Sequence, residues 1–189
     1  MRLVLASASP RRAELLAAAG YHFDVRSADV DETQRPGEAA DAYALRVARD
    51  KAAKVVDELG ENGCCVLAAD TVVVAGPRTL GKPQDAADAR QMLQLLSGTV
   101  HQVLTAVVVR HAGEEATDVV TTRVRFLPLT SAEIDWYVST GEPGGKAGAY
   151  AIQGRASRFV DWIEGSWSNV VGLPVATVYR MLGRAGVLC

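Results

Sequence analysis

A mixed α/β fold, with a central sheet covered by helices, is what this 189-residue chain predicts, on three observations. Strand-length apolar runs alternate with helix-period segments in the first half. Hairpin-like patterns dominate the second half. Between them, Cys64 to Val74 is apolar almost throughout, as expected of a strand covered on both faces. Hydrophobic residues make up 49% of the chain, which allows a substantial core and argues against disorder.

In chain order, Leu3 to Ala6 reads as a short buried strand and Pro10 to Ala19 as a helix that Gly20 can end. An extended piece follows around Phe23 to Arg26, and the polar stretch Ala28 to Gly37 reads as a loop. Glu38 to Leu59 is a long helix with Ala44, Val47, Ala48 and Val55 on one stripe. After the Cys64 to Val74 strand, Ala75-Gly76-Pro77-Arg78 suits a chain reversal. Asp85 caps the next helix, which carries Met92, Leu93, Leu95 and Leu96 and stops at Gly98. Val100 to Arg110 and Val119 to Leu127 read as paired strands around a turn at His111 to Asp118. Thr130 and Glu133 form a capping box for a helix ending near Gly141. The glycine-rich Glu142 to Gly154 leads to a strand at Arg158 to Ile163, a loop at Gly165 to Gly172 and a final helix from Pro174. No repeats or linkers interrupt the pattern, so residues 1–189 are expected to form one domain.

The net charge of −2 comes from interspersed charges, without the basic stripe that a nucleic-acid polymer requires. A single small anion remains compatible with it. The three cysteines, Cys64, Cys65 and Cys189, have no metal-type spacing and suggest a reducing compartment. No signal-peptide core and no membrane-length apolar span are present, so a cytoplasmic protein without a membrane partner is expected.

Chemistry concentrates at a few positions. Ser9 suits an N-cap and Pro10 the first helical position, yet Arg11 and Arg12 put two cations in a first turn that prefers anions. With Ser7 and Ser9 they would form a phosphate site; two solvated arginines are the plain alternative. Asp70 lies inside the apolar strand, where an isolated carboxylate is costly, so it needs a metal, a lysine or water at an open edge. A two-residue turn at Gly76-Pro77 would set Lys82 across from Thr71, next to Asp70. Lys51 falls on the apolar stripe of the long helix, where a snorkelling stem is the ordinary explanation. Glu32, with Asp29 and Asp31, supplies oxygens that a hard cation favours. His22, His101 and His111 have neither zinc-ligand spacing nor a serine partner.

Taken together, Ser7-x-Ser9-Pro10-Arg11-Arg12, Asp31-Glu32, Lys51-Ala52, Ala69-Asp70-Thr71, Gly81-Lys82-Pro83, Leu96-Ser97-Gly98, Lys146-Ala147-Gly148-Ala149-Tyr150, Ile152-Gln153-Gly154 and Gly172-Leu173-Pro174 resemble the Maf family of nucleotide pyrophosphatases. The resemblance implies an elongated mixed β-sheet flanked by helices, with two lobes around a cleft, like the inosine triphosphate pyrophosphatases. It also implies a homodimer and cleavage of a nucleoside triphosphate to the monophosphate and pyrophosphate, dependent on a divalent cation such as Mg or Mn. Ser7, Ser9, Arg11 and Arg12 would then bind phosphate, Glu32 and Asp70 the metal, and Asp70, Lys51 and Lys82 would carry catalysis. Arg12, Thr71 and Gln153 look like the branch of the family that selects dTTP and UTP over 7-methylguanosine triphosphate. Two positions depart from the family pattern: Gly144-Gly145 precede Lys146, where an aspartate is usual, and Trp167 then Asn169 stand where a tyrosine is common. A nucleotide-sensing regulator of cell division with little turnover is the contrasting expectation.

Overall fold

The computed structural model of the chain describes residues 1–60 and 63–187, and Cys189 of the cysteine set lies outside the described residues. Among the described residues, seven strands and six α-helices run in the order β1 (Arg2–Ala6), α1 (Pro10–Ala18), β2 (Asp24–Arg26), α2 (Ala40–Leu59), β3 (Cys64–Ala75), β4 (Arg78–Leu80), α3 (Ala86–Leu96), β5 (Val100–His111), β6 (Glu114–Phe126), α4 (Ser131–Ser139), β7 (Val160–Glu164), α5 (Trp167–Val171) and α6 (Val175–Arg184). The strands form one mixed sheet in the order β2-β1-β3-β5-β6-β7, with β4 paired to β3. A mixed sheet with helices is therefore the fold class, as the alternating pattern predicts. The chain divides into two compact units, one made of Met1–Asp70, Thr105–Val120 and Gly172–Cys189, the other of Thr71–Leu104 and Thr121–Val171.

In the first unit β1 runs parallel to both β2 and β3, with Leu3 beside Cys65 and Leu5 beside Leu67. Alternation along a strand sends Leu3, Leu5, Cys65, Leu67 and Ala69 to one face, where they share a buried cluster with Leu16 of α1 and Val178, Met181 and Leu182 of α6. Val4, Val66 and Ala68 between them are equally buried, and α2, which contacts β1, brings in Val47, Ala48 and Val55. Both faces of β3 are thus covered here, which is why its sequence reads as a continuous apolar run. Each of these large side chains contributes about 1.5–3 kcal/mol on burial.

In the second unit the end of β3 pairs antiparallel with β4, Val73 opposite Leu80 and Ala75 opposite Arg78, in the register that the Gly76-Pro77 reversal predicts. The ladder ends at Leu80, so the expected Thr71–Lys82 pairing is not part of it. Asp85 caps α3 by accepting from Asp88 N at 2.8 Å, and Thr130 with Glu133 closes the capping box of α4. His101 packs edge-on against Phe126 and Tyr150, Phe126 packs in turn against Tyr150 and Phe159, and Phe159 packs edge-on against Tyr137.

Four boundaries differ from expectation for identifiable reasons. The turn expected at His111 to Asp118 is only Ala112-Gly113, both at positive φ (50° and 79°), as a tight hairpin turn requires. Glu114 to Asp118 are already strand, but exposed and therefore polar, which disguised them. Helix α2 starts at Ala40, because the Glu38 carboxylate is engaged by Arg35 N and Arg46 instead. Arg158 and Phe159 belong to a 3-10 turn at Arg155–Phe159 that precedes β7, and the loop expected at Gly165 to Gly172 contains the short α5.

Candidate active site

Helix α2 presents Tyr43, Val47, Lys51 and Val55 at successive four-residue intervals on its buried face. Lys51, only 6% exposed, places Nζ 2.6 Å from Glu32 Oε1 and 2.7 Å from Asp70 Oδ1. Asp70 on β3 is 8% exposed. The lysine of the helix stripe thus supplies a partner of the kind its burial demands. Removing one member of such a buried pair typically costs about 3–5 kcal/mol, because the other charge is left desolvated.

The loop that carries Glu32 is fastened to the same helix. Lys54 Nζ donates to Asp29 O at 2.8 Å, Tyr43 Oη to Glu32 O at 2.6 Å, and Arg46 Nη2 to Thr33 O at 2.9 Å. Tyr43 is held as a donor because burial, then the Asp70 and Glu32 carboxylates, push its phenol pKa up. Asp31 accepts from Thr33 N at 2.9 Å, and the Thr33 side chain first, then this turn contact, lower its pKa. Tyr43 and Arg46 are functional neighbours that the sequence reading passed over. Their signal was present: with Lys51 and Lys54 they place four hydrogen-bonding tips along one side of a helix that follows an acidic loop.

At the start of α1, Ser9 occupies the N-cap and Pro10 the first turn, as expected. The Ser9 hydroxyl makes no capping bond, contrary to expectation; Ser9 N instead donates to Ser7 Oγ at 3.1 Å. Arg12, 8% exposed, donates from Nε to Gly172 O at 2.8 Å and from Nη1 to Ser7 Oγ at 3.3 Å. Burial lowers the Arg12 pKa, Asp70 opposes that most strongly, Arg11 adds to it and Glu32 opposes it again. Arg11 is half-buried. The first unit thus gathers Ser7, Arg11, Arg12, Glu32, Lys51 and Asp70, and the three cations among them stand against two carboxylates.

The second unit holds the other predicted residues. Thr71 follows Asp70 on β3 and is half-buried, while Lys82 is exposed two residues beyond β4. Gly81 O accepts from Gly148 N at 3.0 Å. Gly148 has φ +68, and a Cβ there would lie 2.8 Å from Val73 Cγ2, so only glycine fits the Lys146-Ala147-Gly148 motif. Gln153 is exposed within a turn closed by Gly154 N donating to Ala151 O at 3.0 Å. Asn169 is buried, donating from Nδ2 to Val103 O and Thr122 Oγ1, both at 3.0 Å. Among the described residues no group of three or more His, Cys, Asp or Glu side chains is placed to hold a metal, and no helix is long and apolar enough to cross a membrane. Cys64 and Cys65 are free and buried, and burial pushes the Cys65 thiol up to about 11.

Comparison with known proteins adds to this geometry. The family model described as "Maf-like protein" matches residues 2–185. A dTTP/UTP pyrophosphatase of Anaeromyxobacter dehalogenans is 58% identical over 189 residues, covering 98% of this chain and 94% of that protein. Those of Myxococcus xanthus and Geobacter sulfurreducens are 54% and 50% identical, covering 98% and 99% of this chain and 93% and 98% of their own lengths. Among solved structures, that of the Staphylococcus aureus Ham1 protein is similar with a TM-score of 0.46 and 17% identity, over 67% of this chain and 72% of that one.

Proposed function

The chain belongs to the Maf-like protein family, and on that premise we propose that it is a pyrophosphatase hydrolysing dTTP and UTP to the monophosphate and pyrophosphate. Relatives matched over nearly their whole length carry that activity in their names. The observation that carries the reading is the Lys51 ammonium shared by Glu32 and Asp70 in a desolvated setting beside Arg12.

The surplus of cations suits a polyanion. Arg11, Arg12 and the hydroxyls of Ser7 and Ser9 hold the phosphates through charge-assisted hydrogen bonds. Asp70 orients the attacking water and takes its proton as the water oxygen bonds to the α-phosphorus; the bond from that phosphorus to the bridging oxygen breaks and pyrophosphate leaves with the electron pair. Lys51 and Lys82 offset the charge that develops on the phosphoryl oxygens, which is where most of the acceleration arises in such reactions. The donor set also fits a hard divalent cation, since two carboxylates already converge on one positive centre. Magnesium or manganese held by Glu32 and Asp70 would neutralise phosphate oxygens. Arg12, Thr71 and Gln153 select the base: a glutamine amide donates to one pyrimidine carbonyl and accepts from N3–H, a pairing that cytosine and guanine present differently. The working state is a homodimer acting on free nucleotides rather than on a nucleic-acid polymer.

Pyrophosphate release measured across a nucleotide panel, with and without magnesium or manganese, tests this. dTTP and UTP should turn over much faster than CTP and the purine nucleotides. Equal rates on 7-methylguanosine triphosphate would remove the pyrimidine preference. Nucleotide binding without release from any member of the panel would replace the enzyme with a sensor.

A further inference from the structure

Glu142 commits its carboxylate to the turn that presents Gln153. Oε1 accepts from Tyr137 Oη at 2.9 Å and from Ala156 N at 3.4 Å, while Oε2 accepts from Arg155 N at 3.1 Å. The Tyr137 hydroxyl in turn accepts from Ala151 N at 3.1 Å. Backbone N–H groups on both sides of Gln153 therefore run to a single carboxylate, directly or through one hydroxyl. The relay is anchored, because the Tyr137 ring is wholly buried and packs edge-on against Phe159 at 5.4 Å. On the N-terminal flank, His101 Nε2 and Tyr150 Oη lie 2.9 Å apart and tie the segment to β5.

Gly154 shows how closely the carboxylate is fitted. A Cβ at this position would lie 2.5 Å from Glu142 Oε1 and 2.7 Å from its Cδ. A side chain at this position would have to displace the carboxylate. Burial raises the Glu142 pKa, but the hydrogen bonds from Arg155 N, Tyr137 and Ala156 N outweigh it and the net shift is downward. The group is thus a fixed anion at neutral pH.

We infer that Glu142 is a positioning residue for base selection, fixing the backbone on either side of Gln153 so that its amide meets the pyrimidine edge. This rests on the reading that Gln153 recognises the base. An exposed amide discriminates by two hydrogen bonds only if its backbone is held still, since a displacement of about 1 Å can cost on the order of a hundredfold in rate.

The test compares kcat/KM for dTTP with that for CTP, alongside the Tm, in Glu142→Gln, Gly154→Ala, Gln153→Ala and the Glu142→Gln/Gln153→Ala pair. Gly154→Ala pushes the carboxylate aside without removing it and keeps the question open should Glu142→Gln fold poorly. The dTTP-to-CTP ratio should fall by about ten- to a hundredfold in both Glu142→Gln and Gly154→Ala. The paired variant should discriminate no worse than Gln153→Ala alone, because both changes act through one amide. Parental ratios in folded Glu142→Gln and Gly154→Ala, with the ratio lost in Gln153→Ala, would overturn the positioning role; so would additive losses in the pair. A parental ratio in Gln153→Ala would instead bring down the base-reading role of Gln153, and the inference with it.

Discussion

The two units hold their functional groups by opposite means. In the first, Lys51 and Asp70 are each under a tenth exposed and charge is held by charge. In the second, Gln153 is exposed and its placement comes from backbone hydrogen bonds to Tyr137 and Glu142. Buried charges act strongly on a reacting phosphate because little solvent screens them, but each carries a desolvation cost that only its partner offsets. An exposed amide carries no such cost. The contrast predicts that changes among the buried charges lower stability and rate together, whereas changes around Gln153 alter choice of substrate while the fold persists.

Lys51→Ala should have the largest effect on both quantities. It leaves Glu32 and Asp70 close together without their shared cation, and unfolding free energy should drop by about 3–5 kcal/mol, read by urea denaturation, with turnover nearly abolished. A stable, inactive variant would show that the pair is held by something other than Lys51.

Acid sharpens the comparison from the other side. Burial lowers the His101 pKa from 6.5 to about 4, so the neutral ring is the folded form. Between those values the unfolded chain binds the proton and the folded one does not, and stability is lost as pH falls from about 6.5 toward 4, by roughly 2–4 kcal/mol. Glu142, its pKa depressed, adds a further loss as pH falls through its folded value. Urea melts at pH 7 and pH 4.5 should show this drop, and His101→Gln should shrink it.

Arg12→Ala and Arg11→Ala separate the two arginines. Each should weaken triphosphate binding by about 1.5–3 kcal/mol, measured by calorimetry. Only Arg12→Ala should also lower Tm, because Gly172 O loses its 2.8 Å donor. Arg11→Ala removes a cation from a helix N-terminus and should leave Tm level or higher.

Much of this was legible in the sequence, and the misses are instructive. The apolar run around Asp70 announced both the doubly covered strand and a carboxylate in need of a partner, and the Gly76-Pro77 reversal gave the correct β3–β4 register. Lys51 as a partner of Asp70 was not legible: local register points to Lys82, whereas Lys51, which donates to Asp70 Oδ1 at 2.7 Å, comes from an element nineteen positions earlier in the chain and has no register to it. Periodicity places Lys51 on a buried stripe without saying what lies opposite. Ser9 was correctly placed at the N-cap, yet its hydroxyl contact depends on a side-chain torsion that sequence does not encode. Glu142 and Tyr137 escaped notice because their partners are backbone N–H groups, which carry no residue signature.

The central claim, that the buried carboxylate of β3 performs chemistry rather than merely balancing Lys51, is tested most directly by Asp70→Asn. The amide is nearly isosteric, and Glu32 remains to pair with Lys51 at 2.6 Å, so the variant should fold and still bind dTTP. Pyrophosphate release should fall by about a thousandfold or more, since an amide neither activates water nor binds a hard cation well. Turnover near that of the parent, in a folded variant, would contradict the account and leave Asp70 as a structural counter-ion.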